Sequence, residues 1–262
     1  MSTERLWPHP ELAADLSALR RKAPLVHCIT NLVADNFTAN ALLAVGASPA
    51  MVVAEEEAGG FAALAQALLL NVGTVTPPDA RAMHAAAAAA RAAGRPWVLD
   101  PVGAGALPYR TRVVAELLEH RPAVIRGNAS EILAVAGEAA GGKGVDSTAG
   151  SAEALPRARE LATRLGAVVA VSGAVDFVTD GEEVFSVPGG NPLITRVTAV
   201  GCALGAVIAA FLAAAPSPLR AAVAGSALFK LAAGRAGRTA RGPGSLATAF
   251  LDQLFLAGVE KD

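Results

Sequence analysis

Short apolar runs alternate with longer, alanine-rich stretches along most of this chain, and that alternation predicts its elements. Pro24–Ile29, Pro49–Val53, Ala67–Val72, Pro96–Asp100, Ala123–Arg126 and Ala167–Val171 are short, almost wholly apolar and bounded by turn residues, the pattern of strands buried on both faces. Between them lie segments of helical length: Asp35–Val45, Phe61–Gln66, Pro78–Ala93, Tyr109–Glu119 and Ala154–Leu165. Regular strand–helix alternation predicts a mostly parallel central sheet with helices on both faces, an α/β fold. A hairpin is expected next, with Asp176–Thr179 and Glu182–Val187 flanking the turn pair Asp180-Gly181. A helix containing Cys202, another around Leu219–Arg235 and a closing one from Ser245 to Leu256 complete the chain. Gly141–Ser151 reads as a loop rather than a boundary, so residues 1–262 are expected to form one domain.

Composition narrows the function class. Of 262 residues, 53% are hydrophobic but only 4% aromatic, so alanine supplies much of the core. Twenty-two basic and 23 acidic residues leave a net charge of −1 without blocks of like sign. That argues against nucleic-acid or membrane partners and for small-molecule substrates. Two distant cysteines, Cys28 and Cys202, make neither a disulfide framework nor a zinc spacing. With no signal-peptide core in Met1–Leu16, they point to a cytoplasmic protein. Val197–Leu219 carries no charge, yet Gly201 breaks its start and Pro216 and Pro218 its end. The helical part spans roughly 21 Å at about 1.5 Å per residue, short of a bilayer core of about 30 Å.

In an open parallel sheet, ligands bind beyond the carboxyl ends of the strands. Four predicted strand ends carry chemistry. Cys28-Ile29-Thr30-Asn31 ends the first, where Asn31 offers a donor and an acceptor to a polar heterocycle or serves as a turn residue. Asp100 opens Asp100-Pro101-Val102-Gly103-Ala104-Gly105 and suits either a hydrated magnesium ion or a loop cap. Arg126-Gly127-Asn128-Ala129-Ser130-Glu131 joins an arginine, costly to bury without an anion, to a capping-box pair, Asn128 and Glu131. Ser172-Gly173 is a further, weaker candidate for phosphate or ribose.

The turn Val197-Thr198-Ala199-Val200-Gly201-Cys202 sets a thiol at the start of an apolar helix. Free N–H groups there carry about half a positive charge and attract an anion. The same field is expected to make Cys202 more acidic than a free cysteine; a small buried space-filler is the alternative. Gly137–Lys143 has P-loop spacing but continues with Gly144 and follows a helix, so it is rejected, and no GxGxxG motif is present. His9, His27, His84 and His120 show no metal-ligand spacing, and His84 is expected to be structural or solvated.

Together these stretches resemble the hydroxyethylthiazole kinase family of thiamine salvage. The resemblance rests on Pro24-Leu25-Val26-His27-Cys28-Ile29-Thr30-Asn31, Asn36–Asn40, Gly46–Met51, Leu99–Gly105, Ile125–Glu131, Lys143–Ser147, the Cys202 turn and Gly242-Pro243-Gly244-Ser245, in the family's order. It implies a ribokinase-like fold and ATP-dependent phosphorylation of the hydroxyl of 4-methyl-5-(2-hydroxyethyl)thiazole, with Mg2+. By the same resemblance Asn31, Met51 and Ala199 bind substrate; Arg126, Ser172 and Gly201 bind ATP; Asp100 and Glu131 belong to the magnesium network. Cys202 stands where related kinases place an aspartate base, and is implied to accept or orient the hydroxyl proton. A homotrimer with sites between subunits is also implied. Ala199-Val200 depart from a family turn richer in glycine, which would strain them if the backbone there needs positive φ. The competing readings are a hydroxymethylpyrimidine kinase and a catalytically silent binder of nucleotide or thiazole.

Overall fold

Leu68, Leu69 and Leu70 show how the apolar runs are used. In the computed structural model, which describes residues 10–137 and 150–258, Leu69 enters one hydrophobic core while Leu68 and Leu70 enter another on the opposite side of the same strand. That period of two is the geometry of a sheet covered on both faces. The strands are β1 (Leu25–Ile29), β2 (Ser48–Ala50), β3 (Ala67–Asn71), β4 (Trp97–Asp100), β5 (Val124–Asn128), β6 (Val168–Ser172), β7 (Asp176–Thr179) and β8 (Val184–Val187). They form one sheet in the order β2-β1-β3-β4-β5-β6-β7-β8, parallel through β6, with the β7–β8 hairpin antiparallel at one edge.

One face is covered by α1 (Pro10–Lys22), α2 (Asp35–Val45), α8 (Val200–Leu212), α9 (Pro218–Gly237) and α10 (Pro243–Leu256). The other carries α3 (Glu55–Leu64), α4 (Pro77–Ala92), α5 (Pro108–Leu118), α6 (Ala129–Ala136) and α7 (Ser151–Leu165). Every residue of α8 from Ala203 to Phe211 is buried, which explains why that stretch lacks charge. Among the described residues no helix is long and apolar enough to cross a membrane.

Beyond shifts of a few residues at other element ends, α1, α3 and β2 differ from the sequence reading. α1 was not expected; its Leu12, Leu16 and Leu19 form a buried stripe at helical spacing. α3 begins at Glu55 rather than Phe61. Glu55, Glu56 and Glu57 suit a helix start, and the chain stays helical through Gly59, which packs beside Ala85 of α4. β2 ends at Ala50, so Met51–Val53 lie beyond it. Within Gly141–Ser151, Gly150 and Ser151 start α7; the remainder, with most of the rejected P-loop segment, Lys143–Ser147 and His9, lies outside the described residues.

The chain runs from β1 out to β2 and crosses back to β3 on the other side of β1. Such a reversal opens a crevice at the carboxyl ends of β1 and β3, where ligands of doubly wound sheets bind. Asn31 and Asn71 stand at those ends.

Candidate active site

Four strand ends and one helix start converge at this crevice. Asn31 Nδ2 donates to Asn71 Oδ1 at 2.9 Å and to Cys202 Sγ at 3.3 Å. Asn71 Nδ2 donates to Asp100 Oδ2 at 2.7 Å, and β-sheet register sets these two residues side by side. Arg126 Nη1 lies 3.6 Å from the same Asp100 oxygen. Backbone donors fix the amide orientations: Gly73 N–H donates to Asn71 Oδ1, and Val33 and Ala34 N–H donate to Asn31 Oδ1. Both amide nitrogens therefore face inward, one toward the thiol and one toward the carboxylate.

All of these groups except Cys202, which is half-buried, lie out of solvent. Burial pushes the Asp100 carboxyl up to about 7 against the downward pull of Arg126, with Glu131 adding to the rise. Burial works against the charge of Arg126, but Asp100, Glu131, Cys202 and Asp176 together more than offset it and hold its pKa above the ordinary value. Asp100 thus supplies the anion that the arginine's burial demands. Among the described residues, Arg126 Nε and Asp100 Oδ1 are buried without a hydrogen-bond partner, and such atoms carry a cost unless a ligand meets them.

Cys202 departs from expectation. Its thiol is raised, not lowered: burial is the largest cause and the Asp100 charge the second, while Arg126 and the Asn31 and Asn71 amides pull the other way. The helix start contributes only about half a unit of charge, and desolvation beside a carboxylate exceeds it. Cys28, by contrast, is wholly buried in the core.

The helix start itself is built as expected. Ala199 is the N-cap of α8 at φ 71° and ψ −14°, with no side-chain oxygen to cap the N–H groups of Val200, Gly201 and Cys202. Gly201 packs against Arg126; a Cβ there would stand 3.2 Å from the guanidinium. Of the two departures in this turn, Ala199 is strained in the left-handed region, whereas Val200 is helical and buried.

Glu131 closes the capping box of α6 through Asn128 N–H at 2.8 Å, and its other oxygen accepts from Gly103 N–H at 3.1 Å. It ties the Asp100–Gly105 turn to β5, with lone pairs remaining on both oxygens. Ser172 Oγ donates to Gly127 O at 3.3 Å and borders a cleft of about 650 Å³ shared with Arg126, Gly201 and the Gly189-Gly190 pair. Met51 lies just past the edge strand β2, beside the carboxyl end of β1, and packs against the core. His84 and His120 approach to 3.4 Å on the far helical layer. Among the described residues no cluster of three His, Cys, Asp or Glu forms a ready metal cage.

Asn71 is the member the sequence reading missed. Its signal is the lone polar residue in the otherwise apolar run Ala67–Val72, at the last position of β3.

Comparison with known proteins gives a consistent picture. The model of the hydroxyethylthiazole kinase family matches residues 16–260. A protein of Leptospira interrogans named hydroxyethylthiazole kinase is 57% identical over 258 residues, covering 98% of this chain and 97% of that protein. The structure of a hydroxyethylthiazole kinase from Pyrococcus horikoshii superposes with a TM-score of 0.86 at 42% identity, covering 93% of this chain and 92% of the other. A ribokinase-like superfamily protein from Enterococcus faecalis shares the fold at 14% identity, with a TM-score of 0.66 over 97% of this chain and 94% of its own.

Proposed function

This chain belongs to the hydroxyethylthiazole kinase family, and we propose that the Asn31–Asn71–Asp100–Arg126–Cys202 cluster is where it transfers the γ-phosphoryl group of ATP to its alcohol. The substrate is 4-methyl-5-(2-hydroxyethyl)thiazole and the products are the thiazole phosphate and ADP, a step of thiamine salvage. The observation that carries the assignment is the convergence of a thiol, a carboxylate and a guanidinium on the uncapped start of α8. Phosphoryl transfer asks chiefly for positioning and charge stabilisation. The N–H groups of Val200, Gly201 and Cys202, with Arg126, supply both at the transferring group.

ATP occupies the cleft bordered by Arg126, Ser172 and Gly201. The thiazole lies on the Asn31 side, against the Ala199 backbone and with Met51 closing its ring pocket. The Cys202 thiolate takes the hydroxyl proton as the oxygen–phosphorus bond forms. Since the thiol is raised, only a small fraction is thiolate at neutral pH. Mg2+ fits the donor set: Asp100 Oδ1 is buried without a partner, and Glu131 keeps free lone pairs. When bound, the ion neutralises phosphate charge.

A homotrimer is the assembly that the family resemblance implies, and exposed apolar side chains past the carboxyl ends of β1 and β2, Leu32, Val33 and Val53, favour self-association there. In that assembly Met51 closes the pocket at the subunit boundary. The whole chain, residues 1–262, acts as one kinase domain in the cytoplasm, a reading supported by two unpaired thiols and by cores that share one sheet.

The base assignment is tested with Cys202→Ala and Cys202→Asp. The alanine variant is expected to lose about 10²-fold or more in kcat, the usual contribution of a positioned base. The aspartate variant is expected to keep activity and to shift the rise of kcat with pH toward lower pH. Equal loss in both variants rules out proton transfer at this position.

A further inference from the structure

We propose that Lys230, which lies along the cleft, is a positioning residue for the nucleotide: its ammonium is taken up by the protein's own groups rather than by a phosphate, and it holds two parts of the cleft wall in register. Its ammonium donates to Gly173 O at 2.6 Å and Ala174 O at 3.1 Å, and pairs with Asp176 Oδ1 at 3.0 Å. An ammonium has three donors, so these three acceptors satisfy it and leave no N–H for a phosphate. The Asp176 oxygen also accepts from Gly173 N–H at 2.9 Å, which closes a compact knot around the turn between β6 and β7. Asp176 is buried, and the Lys230 side chain is only 15% exposed. The knot is thus sheltered from the screening that makes surface pairs weak.

The aliphatic stem meets the second wall. A side chain on Gly190 would stand 3.3 Å from Lys230 Cδ, and one on Gly189 3.7 Å from its Cβ. Both glycines adopt positive φ, at 84° and 107°, so this wall is backbone folded closely over the lysine. Gly173, Ala174, Gly189 and Gly190 all line the cleft with Arg126 and Ser172. Lys230 projects from α9, whose neighbouring Ala227, Leu228 and Phe229 are buried, so its root is rigid. One side chain from a fixed helix therefore ties together two backbone turns, Gly173-Ala174 and Gly189-Gly190, that border the cleft.

The inference rests on assigning the cleft to ATP. The test compares wild type with Lys230→Met and Lys230→Met/Asp176→Asn; the double variant avoids a buried, unpaired aspartate that would by itself disturb folding. Steady-state kinetics and ADP titration calorimetry are run on all three. Both variants are expected to raise KM for ATP and weaken ADP binding by about tenfold, since small displacements of binding groups are costly. KM for the thiazole and kcat at saturating ATP are expected to stay within about twofold. Unchanged ADP affinity and KM for ATP in the folded double variant would overturn the proposal, as would loss of kcat alone. A wild type without thiazole-dependent ATP consumption overturns the kinase reading instead. The ADP titration then judges Lys230 separately.

Discussion

Ala199→Gly is expected to stabilise this protein while leaving its contacts almost unchanged. Ala199 sits at φ 71° and ψ −14°, a left-handed conformation at the N-cap of α8. For a residue with a Cβ that conformation costs roughly 1–2 kcal/mol. Glycine removes the cost but loses more backbone freedom on folding, which returns about 0.5–1 kcal/mol of it. The net expectation is a gain of roughly 0.5–1 kcal/mol, or about 1–4 °C in Tm for a chain of this size. Val200 provides the internal control. It is the first helical residue and only 8% exposed, so Val200→Gly removes a buried side chain without relieving strain. A loss of roughly 1.5–3 kcal/mol follows from that burial. Urea titrations with matched m-values on both variants measure the difference. A destabilised Ala199→Gly, or a neutral Val200→Gly, would refute the placement of strain at residue 199.

Two further outcomes follow from the charges around the site. Cys202 should alkylate with iodoacetamide more slowly at pH 8 than a free cysteine, because burial and Asp100 hold its thiol up, while fully buried Cys28 stays unlabelled in the folded protein. A rate above that of glutathione would restore the helix terminus as the dominant influence. Asp100 keeps its proton to about pH 7 when folded but releases it near 3.8 when exposed. Folding therefore takes up a proton across that window, and stability without divalent cations should fall as pH rises from about 4 to about 7. Asp100→Asn should flatten this slope in urea titrations; an unaltered slope would move its origin to another group.

Much of this architecture was legible because burial on both faces writes itself as short apolar runs. The α2 bounds, Asp35–Val45, and the β7 bounds, Asp176–Thr179, agree with the sequence reading residue for residue. The strand-end rule points to Asn31, Asp100, Arg126 and Ser172, and the fold brings the first three together with Ser172 on the adjoining cleft. That rule missed Asn71, whose single polar group is easily absorbed into a leucine run. Lys230 was illegible for a different reason: it lies on a helix far along the chain, and only tertiary packing brings it to the β6–β7 turn. The sign of the Cys202 shift was also beyond sequence, since it depends on desolvation and on a carboxylate from another strand. Ala199 marked itself by departing from its family, but only the backbone angles separate its strain from the relaxed Val200 beside it.

The central claim is that this site phosphorylates the thiazole alcohol. The most direct measurement is ADP release with purified protein, ATP and Mg2+, in the presence of 4-methyl-5-(2-hydroxyethyl)thiazole or hydroxymethylpyrimidine, with the phosphorylated product identified by mass spectrometry. The account predicts ADP and thiazole phosphate in equal amounts, with the pyrimidine a far poorer substrate. Binding of the thiazole without turnover, or preference for the pyrimidine, would contradict it.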